Sequence, residues 1–112
     1  MIITRAPLRI SFVGGGTDIK EFYSRYPGRV ISTSIDKFVY IATHTGDFGN
    51  FIMKYSKTET VNDVSEIEHT RFREALVKME IPKGIEIASF TDLPAKTGLG
   101  SSSSFTVALM KA

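Results

Sequence analysis

The sequence predicts an α+β fold in which a mixed, mostly antiparallel sheet carries helices packed on one face. Three observations predict it. Alternating apolar and polar stretches recur along the chain, two segments space their apolar residues as a helix does, and a glycine–serine run opens directly into an apolar segment. At 112 residues the chain amounts to one domain, spanning 1–112.

In order, Leu8, Ile10 and Phe12 alternate with Arg9, Ser11 and Val13, a half-buried strand that runs into Gly14-Gly15-Gly16. Asp18 with Glu21 three positions later reads as a capping box, and Ile19, Phe22, Tyr23 and Tyr26 then form the apolar face of a short helix. Pro27-Gly28 ends it. Residues 29–35 and 37–45 read as two strands with Asp36 at a bend. Phe38, Tyr40 and Ala42 share one face, and Val39, Ile41 and Thr43 the other. A turn at 46–50 and a strand from Phe51 to Tyr55 suggest a hairpin. Ser65 with Glu68 reads as a second capping box, followed by Phe72, Ala75, Leu76 and Met79 at helical spacing and a stop near Pro82-Lys83-Gly84. Ile85 to Phe90 forms a last strand. Phe38, Tyr40, Phe72 and Phe90 are expected in the core, and His44 and His69 are read as structural.

Composition narrows the function. With 14 Lys and Arg against 12 Asp and Glu, the net charge of +2 is dispersed and does not argue for nucleic acid. The absence of cysteine excludes a disulfide framework and thiolate metal sites and fits a cytoplasmic setting. The start lacks the basic and apolar regions of a signal peptide, and no segment reaches membrane-spanning length, so no membrane partner is expected.

The informative stretch is Pro94-Ala-Lys-Thr-Gly-Leu-Gly-Ser-Ser-Ser-Ser-Phe105. A helix start presents four unpartnered N–H groups and about half a positive charge. Gly98 and Gly100 remove side chains from the path of an anion, Ser101 to Ser104 add hydroxyls, and Lys96 adds a mobile charge. Phe105, Val107, Ala108 and Leu109 follow at once, so the serines sit on a helix and not in a linker. In chemical terms this is a polyphosphate cradle. It is not the Walker loop, because Lys96 precedes both glycines, nor the dinucleotide fingerprint, because position 103 is serine.

Two segments together resemble the GHMP kinases, the family of galactokinase and of homoserine, mevalonate and phosphomevalonate kinases. Residues 94–103 resemble the family's glycine–serine signature. Pro7-Leu-Arg-Ile-Ser-Phe-Val-Gly-Gly-Gly-Thr-Asp18 resembles its sugar-loop signature, in the right order and at about the right separation. The triple glycine replaces the Gly-Glu-His of galactokinases. Together with Arg5-Ala-Pro-Leu-Arg-Ile-Ser-Phe12, it makes the D-glycero-D-manno-heptose 7-phosphate kinase branch most similar and a fucokinase-like branch second.

The resemblance implies the N-terminal part of a GHMP-kinase fold, with members about three times as long. Their catalytic base would lie beyond residue 112, and the 112 residues alone are expected to be inactive. It implies transfer of the ATP γ-phosphoryl group to an anomeric sugar hydroxyl, with Mg²⁺. Thr97, Gly98, Leu99, Gly100, Ser101, Ser102 and Ser103, with Lys96, would hold ATP. Ser102 would bind Mg²⁺, with Ser101 and Ser103 as alternatives. Arg9 would stabilise charge at the reacting groups and touch the sugar. Gly15, Gly16, Thr17 and Asp18 would bind the sugar, Asp18 accepting two hydroxyls, a role compatible with a cap that holds its carboxylate still. The loop N–H groups, Arg5 or Lys20 would meet a sugar phosphate, and residues 46–57 the adenine. A small sugar or sugar phosphate is thus the expected partner, with self-association through exposed apolar surface also expected. A non-catalytic sugar or nucleotide sensor is the competing class. A nucleic-acid module is disfavoured by the charge.

Overall fold

The computed structural model describes residues 1–94 and 97–112. Five strands form one sheet: β1 (Ile2–Val13), β2 (Ile31–Thr45), β3 (Phe51–Lys54), β4 (Thr58–Val61) and β5 (Ile85–Thr91). Their spatial order is β1-β2-β5-β3-β4, and β3–β5 is the parallel pair among antiparallel neighbours. Three helices accompany them: α1 (Lys20–Tyr23), α2 (Thr70–Lys78) and α3 (Ser101–Leu109). The expected mixed, mostly antiparallel sheet is therefore present.

The core lies between this sheet and the two longer helices. Ile41, Met53 and Ile87 point from the strands toward Phe72 and Leu76 of α2 and Ala108 and Leu109 of α3, and all of these are buried. Each such side chain contributes roughly 1.5–3 kcal/mol by leaving water. Val39, Ile41 and Thr43 share one face, as the alternation of β2 predicts, and that face is the inward one. Phe38 and Tyr40 lie on the other face, half-buried, with the Arg5 guanidinium 4.5 Å above the Phe38 ring. Phe90 pairs with Tyr40 on that face and is 61% exposed, so among the four aromatics expected inside only Phe72 is a core residue.

Local rules misplaced several boundaries. β2 is one continuous strand, and Asp36 sits in a register shift where Leu8 alone faces Ile35, Asp36 and Lys37. β3 does not pair with β2, because β5 inserts between them; its hairpin partner is β4. Neither expected capping box forms. The α1 cap position is Ile19, with no side-chain cap, and the helix has four residues, all exposed. Before α2 the box is built by Asp63 and Glu66 around a single 3₁₀ turn, two residues earlier than expected. His69 caps α2 itself, its Nδ1 accepting the Phe72 N–H at 3.4 Å.

Candidate active site

Strand β1 and helix α3 are fastened side by side. The Thr4 hydroxyl donates to the Ala108 carbonyl at 2.7 Å, and the buried Ser104 hydroxyl donates to the Pro7 carbonyl at 2.7 Å. One residue past the register shift, the Arg9 N–H donates to the Leu99 carbonyl at 3.0 Å. These bonds bring the two motif segments, almost ninety positions apart, into one site.

Gly100 opens α3 with φ 71°, a left-handed conformation that costs an ordinary residue about 1–2 kcal/mol. A Cβ there would stand 3.0 Å from Cγ and 3.2 Å from Nε of Arg9. The missing side chain therefore makes room for Arg9. At Gly98 an added Cβ would meet open space. The Gly100 carbonyl accepts from the N–H groups of Ser103 and Ser104, at 3.1 and 3.0 Å. The N–H groups of Ser101 and Ser102 have no partner among the described residues, and no side chain caps the helix. Ser101 and Ser102 line an adjoining cleft; Ser102, Ser103 and Thr97 are exposed and Leu99 is half-buried. Lys96 lies outside the described residues.

The guanidinium of Arg9 reaches the sugar-loop segment. Its Nη1 bonds the Ser11 hydroxyl, and Nη2 stands 3.8 Å from Asp18 Oδ2, with both side chains partly exposed. The loop is a 3₁₀ turn from Gly15 to Asp18, entered through Gly14 at φ 86°. A Cβ on Gly14 would lie 1.9 Å from the Arg29 carbonyl oxygen, so the returning chain fits only against glycine. The Thr17 hydroxyl lies 2.8 Å from the Gly14 carbonyl and 3.0 Å from the Arg29 carbonyl, and accepts the Arg29 N–H at 3.1 Å. Its proton is spent within the loop, so Thr17 staples the loop and keeps one acceptor position on its hydroxyl for a substrate. Gly15 and Gly16 leave open space, and Asp18 stands free of any cap. The Arg5 guanidinium lies over the Phe38 ring.

The cleft beside Ser101 and Ser102 has a volume of about 530 Å³. Tyr55, His69, Phe90 and Phe105 supply its flat walls. The Tyr55 and His69 rings meet edge to face at 4.8 Å, and His69 lies 4.6 Å from Phe72 and 5.3 Å from Phe105. Behind them the buried Glu59 carboxylate accepts from the Tyr55 hydroxyl and, at 2.7 Å, from the Glu68 N–H, with the His69 N–H also directed at it. Burial would raise the Glu59 carboxyl, but these donors outweigh it and hold the group below its usual range. Burial, then the bond to Glu59, raises the Tyr55 phenol. Burial lowers the His69 imidazole.

Apart from Tyr55 and Ser56, which fall in the stretch 46–57 expected at the adenine, sequence reasoning missed this wall. Its one local signal is Glu59 between two threonines in a strand, where a buried carboxylate needs donors. A second cavity, of about 550 Å³, lies between the far end of β2 and α2 beside Leu76, Ile81 and Leu109, and of the expected site residues only Gly46 and Asp47, from the stretch 46–57, reach it.

Residues 58–112 match the model of the GHMP kinases N terminal domain. The chain is 29% identical over 126 aligned positions to the D-glycero-alpha-D-manno-heptose 7-phosphate kinase of Campylobacter jejuni, covering 99% of the chain and 36% of that protein. It superposes on a D-glycero-D-manno-heptose 1-phosphate kinase from Bacteriodes thetaiotaomicron with a TM-score of 0.86 at 23% identity, over 100% of this chain and 40% of that one. Against the Methanococcus jannaschii mevalonate kinase the TM-score is 0.75 at 22% identity, over 99% and 38%. The chain thus spans little more than a third of the length of the curated relative it matches. The resemblance read from the two motifs is thus met by similarity at both levels: residues 58–112 match the N-terminal domain of the GHMP kinases, and the whole chain shares the fold of the corresponding part of the kinases it superposes on.

Proposed function

We propose that this chain, residues 1–112, is the ATP-binding N-terminal domain of a sugar kinase that moves the γ-phosphoryl group of ATP to the anomeric hydroxyl of a heptose 7-phosphate. The single observation that carries this reading is the uncapped start of α3, with Arg9 packed on Gly100 and paired to Asp18. Unpartnered N–H groups at Ser101 and Ser102 suit the β- and γ-phosphates, and the cleft behind them is large enough for a nucleoside.

Among the described residues no three His, Cys, Asp or Glu side chains cluster to hold a metal. The donor set nevertheless fits Mg²⁺, which takes few protein ligands and completes its shell from phosphates and water. Ser102 is the residue we assign to it, and the ion would neutralise charge on the polyphosphate. Arg9 offers a planar fork between the phosphate and the sugar, and Asp18 orients the sugar through its hydroxyls. Lys20, exposed at the start of α1, is offered to the sugar's own phosphate, with Arg5 and the loop N–H groups as alternatives. The hydroxyl proton would pass to a carboxylate outside these residues, as the family resemblance implies. A cytoplasmic setting fits a reaction that consumes ATP.

The test is phosphoryl transfer by the complete protein from ATP with Mg²⁺ to a panel of heptose 7-phosphate, heptose, fucose and galactose. Transfer to the heptose phosphate is expected, with kcat/KM reduced at least tenfold by Ser102→Ala. Transfer to fucose or galactose instead would overturn the substrate. No transfer to any sugar would overturn the kinase reading.

A further inference from the structure

We propose that His69 is a hydrogen-bond donor to the nucleoside in the cleft beside α3, its Nε2–H reading an acceptor on the base or ribose. The inference rests on the nucleotide reading above and adds a specificity residue to it.

Geometry fixes the tautomer. Nδ1 of His69 accepts the Phe72 N–H, so in a neutral ring the proton must sit on Nε2. Burial favours that neutral ring. Nε2 has no hydrogen-bond partner among the described residues, and it is not among the buried unsatisfied atoms. A donor that keeps some contact with solvent, on a residue that lines the cleft, is available to a ligand there. The ring cannot swing away without losing the α2 cap and its contacts with Tyr55, Phe72 and Phe105. Beneath it, Glu59 fixes both neighbours by taking the Glu68 N–H and the Tyr55 hydroxyl. The remaining charged group near the ring is Arg71 on α2, and α3 brings no titratable side chain to it. A ligand acceptor would therefore meet one neutral, immobilised donor, which discriminates well because little entropy is lost on binding.

Two isosteres separate the ring's two jobs. Asparagine reaches the Nδ1 position and is a good cap, but lacks the outer donor. Glutamine can place an amide N–H near the Nε2 position but cannot cap as well. The proposal predicts that His69→Asn keeps the urea midpoint of the complete protein while weakening binding of the Mg²⁺ complex of a non-hydrolysable ATP analogue by roughly 3–10-fold. His69→Gln should lower the midpoint and bind the analogue nearly as wild type does. Inorganic tripolyphosphate, which has no nucleoside, should bind wild type and His69→Asn alike.

Equal analogue binding by wild type and His69→Asn would overturn the donor role and leave the nucleotide reading standing. Equal weakening for tripolyphosphate would place the donor at the phosphates and overturn the nucleoside assignment. A wild-type protein that binds neither probe would sink both readings together.

Discussion

Helices α2 and α3 are each nine residues long, and they begin in opposite ways. The start of α2 is closed: His69 takes the Phe72 N–H, Glu59 takes the Glu68 N–H, and a capping box sits just upstream. The start of α3 is open. Gly100 contributes no side chain, and none of the serines that follow turns back to cap the helix. A capping side chain contributes about 1 kcal/mol, so a helix start with four serines beside it and no cap has left an available stabilisation unused. The open donors are worth more to an external anion, which gains charge-assisted bonds of roughly 1.5–3 kcal/mol each. The contrast separates a helix start that holds the fold from one free to hold a ligand.

The sharpest way to break the contrast is at the closed end. Glu59→Ala removes the acceptor of the Tyr55 hydroxyl and of the Glu68 N–H, both beside the α2 start. We expect a loss of about 2–3 kcal/mol, read as a lower urea midpoint at unchanged slope. A loss under about 0.5 kcal/mol would mean that water replaces the carboxylate and that the closed end is not held as described.

At the open end the expected effect is smaller in stability and larger in function. Gly100→Ala strains a residue at φ 71° and sets a methyl 3.0 Å from Arg9 Cγ. About 1–2 kcal/mol of stability should be lost. The displaced Arg9 should cost the complete protein most of its phosphoryl transfer. Full transfer in this variant would show that the position of Arg9 against Gly100 is dispensable.

These two ends were not equally legible in the sequence. The open one is built from a contiguous motif, so Gly98 to Ser103 and Arg9 to Asp18 announced themselves. The closed one is built from β3, β4, the turn after them and α2, and its members Tyr55, Glu59 and His69 form no local pattern. Histidine is an uncommon cap, and the 3₁₀ turn moved the capping box from Ser65–Glu68 to Asp63–Glu66. Alternation grouped the right residues on each face of β2, because periodicity is a property of one strand, but it did not tell which face turns inward, and Phe38 and Tyr40 were expected there instead of Val39 and Ile41. It could not foresee that β5 would separate β2 from β3, since that neighbour arrives some thirty residues later. Thr17 shows the same limit at the scale of a side chain: a motif position predicts that a residue matters, while its bonds to Gly14 and Arg29 decide how.

Acid should also distinguish the two ends, by a smaller amount. The folded His69 imidazole titrates below its ordinary value near 6.5, so protonation favours the unfolded chain. The stability it contributes is complete above about pH 6.5 and is lost as pH falls from there through the folded value. Glu59, also held low, adds a further loss only below its ordinary value near 4.5. Urea midpoints between pH 7 and pH 5 should therefore decline in wild type and flatten in His69→Asn. Identical slopes in both proteins would show that the imidazole does not cap α2.

The smallest stability effect is expected at Asp18, and that is its interest. A capping carboxylate would cost about 1 kcal/mol on removal, but the α1 cap position is Ile19 and Asp18 makes no cap. What remains is a partly exposed pair with Arg9 at 3.8 Å, and such pairs contribute between nothing and about 1 kcal/mol. Asp18→Ala should leave the urea midpoint within about 0.5 kcal/mol of wild type. It should raise the sugar KM of the complete protein several-fold with little change in the KM for ATP. A fall in stability with an unchanged sugar KM would return Asp18 to a structural role. An equal rise in both KM values would mean that its service is to aim Arg9 at the phosphate, joining the sugar loop to the open helix end through one guanidinium.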